Sequence, residues 1–347
     1  GPDFSYYHKT NQINNELHEL SQSCGNLMTL VQLQGNPDLY AIDIENKNVD
    51  SESLAKSFFL FGEHARELIS TETGLHLLRQ LCGTEENSKV DISQILNKNK
   101  FRMIINANPS SRKLVEDGAY CKRTNENNVD LNRNWDAHWS QDSLSTDEYP
   151  GESPFSEPET IAVSQAFLEF KSDIFLSVHS GTLGMYTPFA YFEQEADENE
   201  GNMLEILHNL NPKYCDCDVG SAAVLQRKPC RGTCIDYAYE HKAMYAFAFE
   251  IYSIGKAVPG WEAKSQNMVQ TSTRTKKLRG HQSHKAETPH SCFFESTSSN
   301  SKLELSEEGC FRIFNPQTKE EYDHVVDNWT TAILELIQQI NQKNTLQ

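Results

Sequence analysis

The order of hydrophobic and polar positions predicts an opening helix followed by a pair of strands. Apolar residues recur at the spacing of an amphipathic helix over residues 11–20. Two strand-like runs follow, Met28–Leu33 and Leu39–Ile44, and the Gly-Asn-Pro-Asp sequence between them is typical of a hairpin turn. The chain is therefore expected to open with a helix that leads into two antiparallel strands.

Short apolar runs and helical periods then alternate along the rest of the chain. The apolar runs predict strands at residues 57–61, 100–107, 174–178, 185–192 and 244–251. The helical periods predict helices at residues 67–82, 157–170, 201–210, 233–241 and 319–342. The helix at 201–210 is expected to end at Asn211 and Pro212. Such alternation after a hairpin predicts an α/β fold, a three-layer α/β/α sandwich around a mixed sheet.

One segment departs from this pattern in composition. From about Glu262 to Glu308 the chain is rich in Ser, Thr, Lys and His and poor in apolar residues. A segment of that composition cannot bury enough apolar surface to form a core of its own. We therefore predict one domain over residues 1–347, with a low-complexity insertion at about 262–309.

Charge and cysteine content narrow the classes of protein. The net charge of −18 argues against nucleic-acid binding, because phosphate neutralisation needs a basic surface. No run of about 18 apolar residues occurs, so the sequence predicts no membrane span. The nine cysteines allow a few disulfides and one free thiol, as in secretory proteins, although a reduced set fits nearly as well. The sequon Asn328–Thr330 adds weak support for a secretory location, extracellular or vacuolar.

Three residues are candidate metal ligands. His64 and Glu67 lie where a predicted strand passes into a helix, and zinc accepts both an imidazole and a carboxylate. A catalytic zinc site needs a third protein ligand, and His179 meets that need at the end of the predicted strand 174–178. Taken alone, His64 and Glu67 are better explained as a surface histidine with a glutamate nearby, and His179 as a histidine that ends a strand without binding metal. Support has to come from the rest of the chain.

Glu250 is the candidate general base. It follows the apolar run Ala246–Phe249, so a carboxylate lies at or near the end of a buried strand. A buried carboxylate must be paired, metal-bound or protonated, because an isolated charge away from water is costly. Beside a zinc-bound water it would accept a proton near neutral pH. The alternative is a structural glutamate held in an ion pair.

A polar segment, Cys121–Asp136, carries two arginines ten positions apart. Arg123 and Arg133, with Asn132 beside the second, can bind a carboxylate through forked hydrogen bonds. Asp130 can accept a proton from the far nitrogen of a zinc-bound histidine and so fix its tautomer. The alternative in a polar loop is a surface arginine cluster.

Together, four motifs resemble the zinc metallocarboxypeptidases of the carboxypeptidase A/B type. They occur in the family's order and at comparable separations: His64–Glu67, Asp130–Asp136, Leu176–Ser180 and Phe247–Glu250. The resemblance covers roughly residues 50 to 255, and the chain is most similar to the plant-like members of the group. It implies a mixed sheet of about eight strands between helices.

The resemblance also implies a role for each candidate at the metal. His64, Glu67 and His179 would bind one zinc ion per chain. Asp130 would be the outer partner of the first histidine, and Glu250 would be the general base and acid.

The remaining candidates would bind substrate if the resemblance holds. Arg123 would polarise the scissile carbonyl and stabilise its developing charge. Asn132 and Arg133 would clamp the terminal α-carboxylate of the substrate, and Arg66 would be an outer substrate contact.

Two positions depart from the family's pattern. Pancreatic members have a mobile tyrosine 22 residues before the catalytic glutamate, where this chain has Lys228. The position 15 residues before the glutamate often selects the substrate's side chain, and Ile235 there implies apolar or aromatic C-terminal residues. Arg227, Lys228 and Arg231 would favour an acidic residue if they line the pocket, and a solvated basic loop is the alternative.

These observations predict an enzyme, a metallocarboxypeptidase that hydrolyses the C-terminal peptide bond through a Glu-activated, zinc-bound water. Its partner would be a peptide or a small amide with a free C-terminal carboxylate. The missing tyrosine and the charged loop motivate an alternative, a zinc amidohydrolase of the same fold that acts on small N-acyl or γ-linked amino acids. A binding protein without activity is a third hypothesis, which the joint presence of ligands, base and clamp disfavours.

Overall fold

The architecture is built on one mixed β-sheet. The computed structural model describes residues 1–142, 145–261 and 306–345. Within them, eight strands form the sheet: β1 (Met28–Gln32), β2 (Tyr40–Ile44), β3 (Ala55–Phe61), β4 (Asn99–Ile104), β5 (Ile174–His179), β6 (Leu183–Thr187), β7 (Asp218–Ser221) and β8 (Tyr245–Ile251). Their order is β1-β2-β4-β3-β5-β8-β6-β7. The pairs β4/β3, β3/β5, β5/β8 and β6/β7 are parallel, and the others are antiparallel.

Helices connect these strands. The same described residues contain ten α-helices: α1 (Thr10–Ser23), α2 (Leu68–Leu81), α3 (Ile92–Lys98), α4 (Pro109–Glu116), α5 (Pro158–Phe170), α6 (Glu200–Tyr214), α7 (Ala222–Gln226), α8 (Cys234–Glu240), α9 (Glu307–Phe314) and α10 (Lys319–Thr345). Helix α10 packs against α2 and α6, and α8 packs on β5 and β8.

The helices cover both faces of the sheet. The ring of Phe58 packs against Phe167 of α5, with centroids 5.5 Å apart. The ring of Phe61 packs against Gly74 of α2, so closely that a Cβ on this glycine would lie 2.8 Å from ring carbons. Side chains an odd number of positions apart on a strand point to opposite faces. The predicted sandwich of helices around a mixed, eight-stranded sheet is therefore confirmed.

Most predicted elements are present, and their bounds mostly differ by one to three residues, with two larger differences. The helix expected at 201–210 runs on to Tyr214 with Pro212 inside it. Pro212 cannot donate a backbone hydrogen bond, yet the helix continues past it, and the Cys215 amide bonds to the Asn211 carbonyl at 3.0 Å. The strand expected at 185–192 is β6, which begins two residues earlier and ends at Thr187.

The loop that carries the first candidate ligands is held by α2 and β5. Gly62 leaves β3 at φ +76°, and a Cβ there would lie 2.5 Å from the Thr71 hydroxyl oxygen. The Ser70 hydroxyl accepts from the Gly62 amide at 3.0 Å and donates to the Val178 carbonyl at 2.6 Å. One serine thus ties the turn after β3 to the end of β5.

Three disulfides occur in the described residues: Cys24–Cys82, Cys121–Cys310 and Cys215–Cys217. Cys234 is a buried free thiol. This confirms the expected combination of disulfides with a free thiol. None of the described helices combines the length and the hydropathy of a membrane-spanning segment.

Two further expectations have a different outcome. The insertion expected at about 262–309 lies outside the described residues up to residue 305, and its last positions belong to α9. The sequon Asn328–Thr330 lies inside α10, where Trp329 and Thr330 are fully buried. The Asn328 amide donates to the Tyr214 carbonyl at 2.9 Å. This sequon is not an accessible acceptor for a glycan, so its support for a secretory location is withdrawn.

Candidate active site

The three candidate zinc ligands meet at the C-terminal edge of two neighbouring parallel strands. His64 and Glu67 lie between β3 and α2, and His179 is the last residue of β5. The Nδ1 atoms of the two histidines are 3.2 Å apart. Glu67 places Oε1 3.2 Å from His179 Nδ1 and Oε2 2.7 Å from His64 Nδ1. All three side chains are buried and converge on one point.

This donor set fits a zinc ion. Two imidazole nitrogens and one carboxylate form a common set for a catalytic zinc, which leaves one position open. Bonds of about 2.1 Å in a tetrahedron separate ligand atoms by about 3.4 Å, close to two of the three observed separations. Each imidazole also has a hydrogen-bond partner on its other nitrogen, which selects the tautomer that offers Nδ1 to a metal.

Asp130 holds the outer nitrogen of His64. Its Oδ1 lies 2.9 Å from His64 Nε2 and also accepts from the Asn132 amide at 2.9 Å. Its Oδ2 accepts from Arg123 Nε at 2.9 Å. Burial alone would raise the pKa of Asp130, but the positive charge of Arg123 and contact with His64 hold that pKa well below its ordinary value. The carboxylate is therefore ionised and links a ligand to a candidate catalytic arginine.

A buried cluster that the sequence did not predict lies behind His179. The Ser177 hydroxyl is 2.6 Å from His179 Nε2, and Glu63 Oε1 lies 3.9 Å from the same nitrogen. Cys234 Sγ lies 3.7 Å from Glu63 Oε1, and Trp135 Nε1 donates to Glu63 Oε2 at 3.0 Å. Glu63, His179 and Cys234 are close enough to bind a metal. Burial raises the pKa of the Cys234 thiol well above its ordinary value, so this set fits zinc less well than the first.

Glu250 lies beside the ligand set, and no side chain among the described residues hydrogen-bonds to its carboxylate. It is the direct cross-strand neighbour of His179 in the β5/β8 pair and is fully buried. Burial and the negative charge of Glu67 raise the pKa of Glu250 well above its ordinary value, and Arg123 opposes that shift. A buried carboxylate in this state is suited to exchange a proton with a bound molecule.

Arg123 also presents unused hydrogen-bonding capacity. Its Nε is bound to Asp130, but its Nη2 is buried and has no partner among the described residues. The Arg123 carbonyl accepts from the Ala65 amide at 3.1 Å, which fixes this segment against the loop that carries His64. The Arg123 guanidinium therefore lies near the ligand set with its Nη2 available as a hydrogen-bond donor.

Asn132 and Arg133, the residues predicted to form a carboxylate clamp, lie side by side, and a glutamate that the sequence analysis missed pairs with Arg133. Arg133 Nη2 donates to Glu148 Oε1 at 2.9 Å, and Arg133 Nη1 donates to the Asn132 carbonyl at 2.8 Å. Lys228 Nζ lies 3.6 Å from Glu148 Oε2. The Asn132 side chain accepts from the Cys234 amide at 2.9 Å and so joins the clamp to the start of α8. Glu148 ends a single 3₁₀ turn, Thr146–Glu148, in an otherwise irregular loop without a periodic pattern, so no sequence signal marked it.

The positions of Arg66 and Ile235 give less direct support for a role in substrate binding. Arg66 Nη1 donates to the Cys121 carbonyl at 3.2 Å and lies 3.5 Å from Asp147 Oδ2. Its guanidinium carbon lies 4.2 Å from the centre of the Phe314 ring, a cation–π contact. Several contacts of Arg66 are therefore made to other residues of the protein rather than to a substrate. Burial and the charge of Arg123 lower the pKa of Arg66 to about 10, which leaves it charged. Ile235 is fully buried in α8.

Two cavities open next to these residues. One of about 890 Å³ is bordered by Arg123, Thr124, Asp147 and Tyr149. A second of about 240 Å³ is bordered by Arg133, Glu148, Lys228 and Arg231. Arg123 thus borders the first cavity, and Arg133 of the candidate clamp borders the second.

Comparisons with known proteins agree with this arrangement. The family model described as "Zinc carboxypeptidase" matches residues 13–276. Zinc carboxypeptidase A 1 of Drosophila melanogaster is 23% identical over 296 residues, which are 76% of this chain and 68% of that protein. Human carboxypeptidase A6 is 23% identical over 74% of this chain and 62% of its own length, and Zinc carboxypeptidase A 1 of Anopheles gambiae is 26% identical over 62% and 53%. The chain thus spans between about half and two thirds of the lengths of these relatives.

Solved structures support the fold. The crystal structure of thrombin-activatable fibrinolysis inhibitor matches with a TM-score of 0.70 and 16% identity, over 97% of this chain and 75% of that one. Carboxypeptidase A from Helicoverpa armigera matches with a TM-score of 0.63 and 19% identity, over 80% and 74%. At such identities the likeness concerns the fold alone.

The sequence matches cover the segments that carry the ligands, the clamp and Glu250. The expected family and the expected metallocarboxypeptidase class of enzyme are thereby confirmed, and the amidohydrolase alternative is not favoured. The chain belongs to the zinc carboxypeptidase family.

Proposed function

We propose that this protein is a zinc-dependent exopeptidase that removes the last residue of a peptide, with the residue roles set out below. The observation that carries the proposal is the fully buried carboxylate of Glu250, to which no side chain of the described residues hydrogen-bonds, next to a converging His-Glu-His set. An isolated carboxylate is costly to bury without a compensating role. A water or substrate atom bound between this carboxylate and the ligand set supplies that role.

His64, Glu67 and His179 would hold one zinc ion per chain. Zinc, when bound, polarises a carbonyl and lowers the pKa of a bound water toward neutrality. The pairs His64–Asp130 and His179–Ser177 orient the two imidazoles before metal binds.

Glu250 would carry the proton during hydrolysis. It takes a proton from the attacking water as the water oxygen bonds to the scissile carbonyl carbon. It then delivers that proton to the amide nitrogen as the C–N bond breaks, which releases a free amino acid and a shortened peptide. The raised pKa of Glu250 makes its carboxylate a stronger base than an ordinary glutamate, which favours the first transfer and keeps the proton on the carboxyl group until the amide nitrogen accepts it.

Arg123 and the clamp would bind substrate at two points. The free Nη2 of Arg123 donates to the scissile carbonyl oxygen as its negative charge develops. Asn132 and Arg133 hold the terminal carboxylate, which restricts cleavage to the last bond.

Lys228 would add a second cation to the clamp. Glu148 contacts both Arg133 and Lys228, so it holds the two cations side by side. A lysine at this position can donate to the terminal carboxylate, as a point charge rather than as a fork. In this role it takes the place of the tyrosine found in pancreatic members of the family.

The cavity beside Arg123 supports a peptide rather than a small amide as the substrate. A volume of about 890 Å³ exceeds what a single N-acyl group fills. Its lining includes Arg123, which would bind the scissile carbonyl, so the upstream residues of a peptide would extend into this cavity. Three disulfides in the described residues also support an oxidising location, in the secretory pathway or outside the cell.

The proposal is tested by metal content and by substrate length. We expect one equivalent of zinc in protein purified without chelator, complete loss of activity on chelation, and recovery on addition of zinc. A hexapeptide should be cleaved with a higher kcat/KM than the N-acetyl amino acid with the same last residue. Equal activity in the metal-free protein, or a preference for the N-acetyl amino acid, would refute the proposal.

A further inference from the structure

The pocket for the last side chain of the substrate can be located from the sheet register. In one row across the sheet, His179, Glu250 and Gly184 are direct neighbours on β5, β8 and β6. Residues two positions away on each strand point to the same face, so they form the next row. That row consists of Ser177, Ala248 and Tyr186.

The substrate's last residue has to lie over this second row. Its carboxylate is held by Asn132 and Arg133, and its amide bond is cut at Glu250. The Asn132 side chain is bonded to the Cys234 amide, and the Cys234 thiol contacts the Ser177 hydroxyl. The row that contains Ser177 therefore lies beneath the space between the clamp and Glu250.

Two members of this row are small and one is large. Ser177 and Ala248 have small side chains, whereas Tyr186 carries a large ring. The ring of Tyr186 leans back over Gly184, so closely that a Cβ on this glycine would lie 2.4 Å from the phenol oxygen. Because Gly184 pairs with Glu250, the phenol lies next to the catalytic carboxylate.

The phenol is held in that position. Tyr186 is only 5% exposed, and the Gln226 side chain hydrogen-bonds to its hydroxyl. The Thr182 side chain also lies beside the phenol oxygen. Burial and the charge of Glu250 raise the pKa of Tyr186, so the phenol stays neutral and remains a hydrogen-bond donor. A ring packed on a backbone and bonded at its tip cannot easily move aside.

We propose that Tyr186 is a specificity-determining residue that restricts the substrate's last residue to small or short polar side chains. Gly, Ala, Ser, Thr and Asn fit beside the ring, and the last three can hydrogen-bond to its hydroxyl. Aromatic and long side chains collide with it. This inference rests on the proposed exopeptidase function and names the substrate class that the same site accepts.

The test is a set of hexapeptides that differ only in the last residue, which is Gly, Ala, Ser, Phe, Leu, Glu or Lys. We expect the zinc-loaded wild type to cleave the Ala and Ser peptides with kcat/KM at least about tenfold above the Phe peptide, the size of effect that one pocket contact gives. A preference for Phe, Leu, Glu or Lys would overturn the inference. Failure to cleave any peptide would instead refute the proposed function.

Variants at position 186 test the contribution of the ring and that of its hydroxyl separately. Tyr186→Ala should raise the Phe-to-Ala ratio of kcat/KM by about 10- to 200-fold. Tyr186→Phe should keep the size limit but lower the Ser-to-Ala ratio of kcat/KM, because the hydroxyl that can bond to serine is removed. Tyr245→Phe, a buried tyrosine at the far end of β8, is the matched control and should leave all ratios unchanged.

Folding of each variant is checked by its Tm and its zinc content. If Tyr186→Ala does not fold, Tyr186→Leu removes the hydroxyl and part of the ring volume, and the Phe-to-Ala ratio should rise by severalfold. An unchanged ratio in a folded Tyr186→Ala or Tyr186→Leu variant would overturn the inference.

Discussion

Glu250 is the residue on which the chemistry depends most directly. Glu250→Gln removes the proton acceptor and keeps the volume, so we expect kcat to fall by about 10²- to 10⁴-fold. Zinc content should not change, because the side chain is not a proposed ligand. Steady-state assays and metal analysis of the same sample check both statements.

The matched control for this variant is Glu200→Gln. Burial raises the pKa of Glu200 to about 7, but this glutamate begins α6 and lies outside the site. Its replacement should leave kcat within twofold of the wild type. Wild-type kcat in Glu250→Gln would contradict the assigned role.

Arg133 is expected to recognise the free carboxylate of the substrate. Arg133→Met leaves Glu148 without its arginine partner and removes a forked donor. We expect kcat/KM to fall by about 30- to 3,000-fold, the cost of truncating a buried charge pair. The loss should lie mainly in KM, and a normal KM for a free-acid peptide would argue against the clamp.

Sequence alone located these residues to different extents. His64, Glu67, His179 and Glu250 are marked by their places at strand ends, which spacing reveals. Other contacts depend on the register between strands and on how loops pack. Neither can be deduced from the residues that are adjacent in the sequence. Two such residues are Glu148, in an irregular loop, and Tyr186, whose importance follows from the absence of a side chain at Gly184.

At the scale of secondary structure, α2 is the helix that fixes the site. Ser70→Ala removes the hydroxyl that bonds to both Gly62 and Val178, and all three groups are buried. We expect the free energy of unfolding to fall by about 1–3 kcal/mol, the cost of unpaired buried groups. Zinc affinity should fall too, because the loop before α2 carries two ligands.

Chemical denaturation and zinc titration measure these two effects. Ser164→Ala on α5 is the control, since its hydroxyl bonds only within its own helix, to the Ile161 carbonyl. It should lower stability less and leave zinc affinity unchanged. Equal zinc affinity in Ser70→Ala and Ser164→Ala would show that the serine tie does not position the ligand loop.

The contact between α2 and α10 predicts a pH dependence of stability. His76 on α2 lies 2.8 Å from Asp327 on α10 and is also paired with Glu85. Although burial would lower it, these two carboxylates raise the pKa of His76 to about 9. A pKa raised by folding stabilises the protein below the unfolded value of about 6.5, and the stabilisation is lost as pH rises through 9.

His76→Asn tests this dependence. Because Asp327 is largely exposed, solvent screening reduces the expected stabilisation to about 1–2 kcal/mol. The difference in free energy of unfolding between wild type and variant should therefore be that size at pH 6 and should shrink by pH 10. A difference that is constant across this range would contradict the assignment.

Several elements escaped the sequence patterns for a common reason. β7 has four residues and no apolar alternation, and α7 has five residues. Elements this short are stabilised by their neighbours rather than by their own periodicity. The long elements around the site, such as β5 and α10, have strong patterns and could be predicted.

For the whole molecule, zinc should act as a stabilising ligand. The metal set is buried and brings together segments more than 100 residues apart, as the contact between His64 and His179 shows. A ligand at about 1,000 times its Kd stabilises the folded state by about 4 kcal/mol. We therefore expect the Tm of the zinc-loaded protein to exceed that of the chelated protein by several degrees in calorimetry.

A ligand variant makes this experiment specific. Glu67→Gln removes a charged ligand of the set but leaves the rest of the chain unchanged, so its Tm should no longer respond to zinc. If Glu67→Gln responds as the wild type does, the ion that stabilises the protein binds elsewhere.

The claim that this chain is a C-terminal exopeptidase is tested most directly by two peptides. They share one sequence and end in alanine, one as the free acid and the other as the amide. We expect the zinc-loaded enzyme to release free alanine from the acid, observed by mass spectrometry as the loss of one residue. It should cleave the amide at least about 100-fold more slowly, because the amide offers no carboxylate to the clamp. Equal cleavage of both peptides, or cleavage at an internal bond, would contradict this claim.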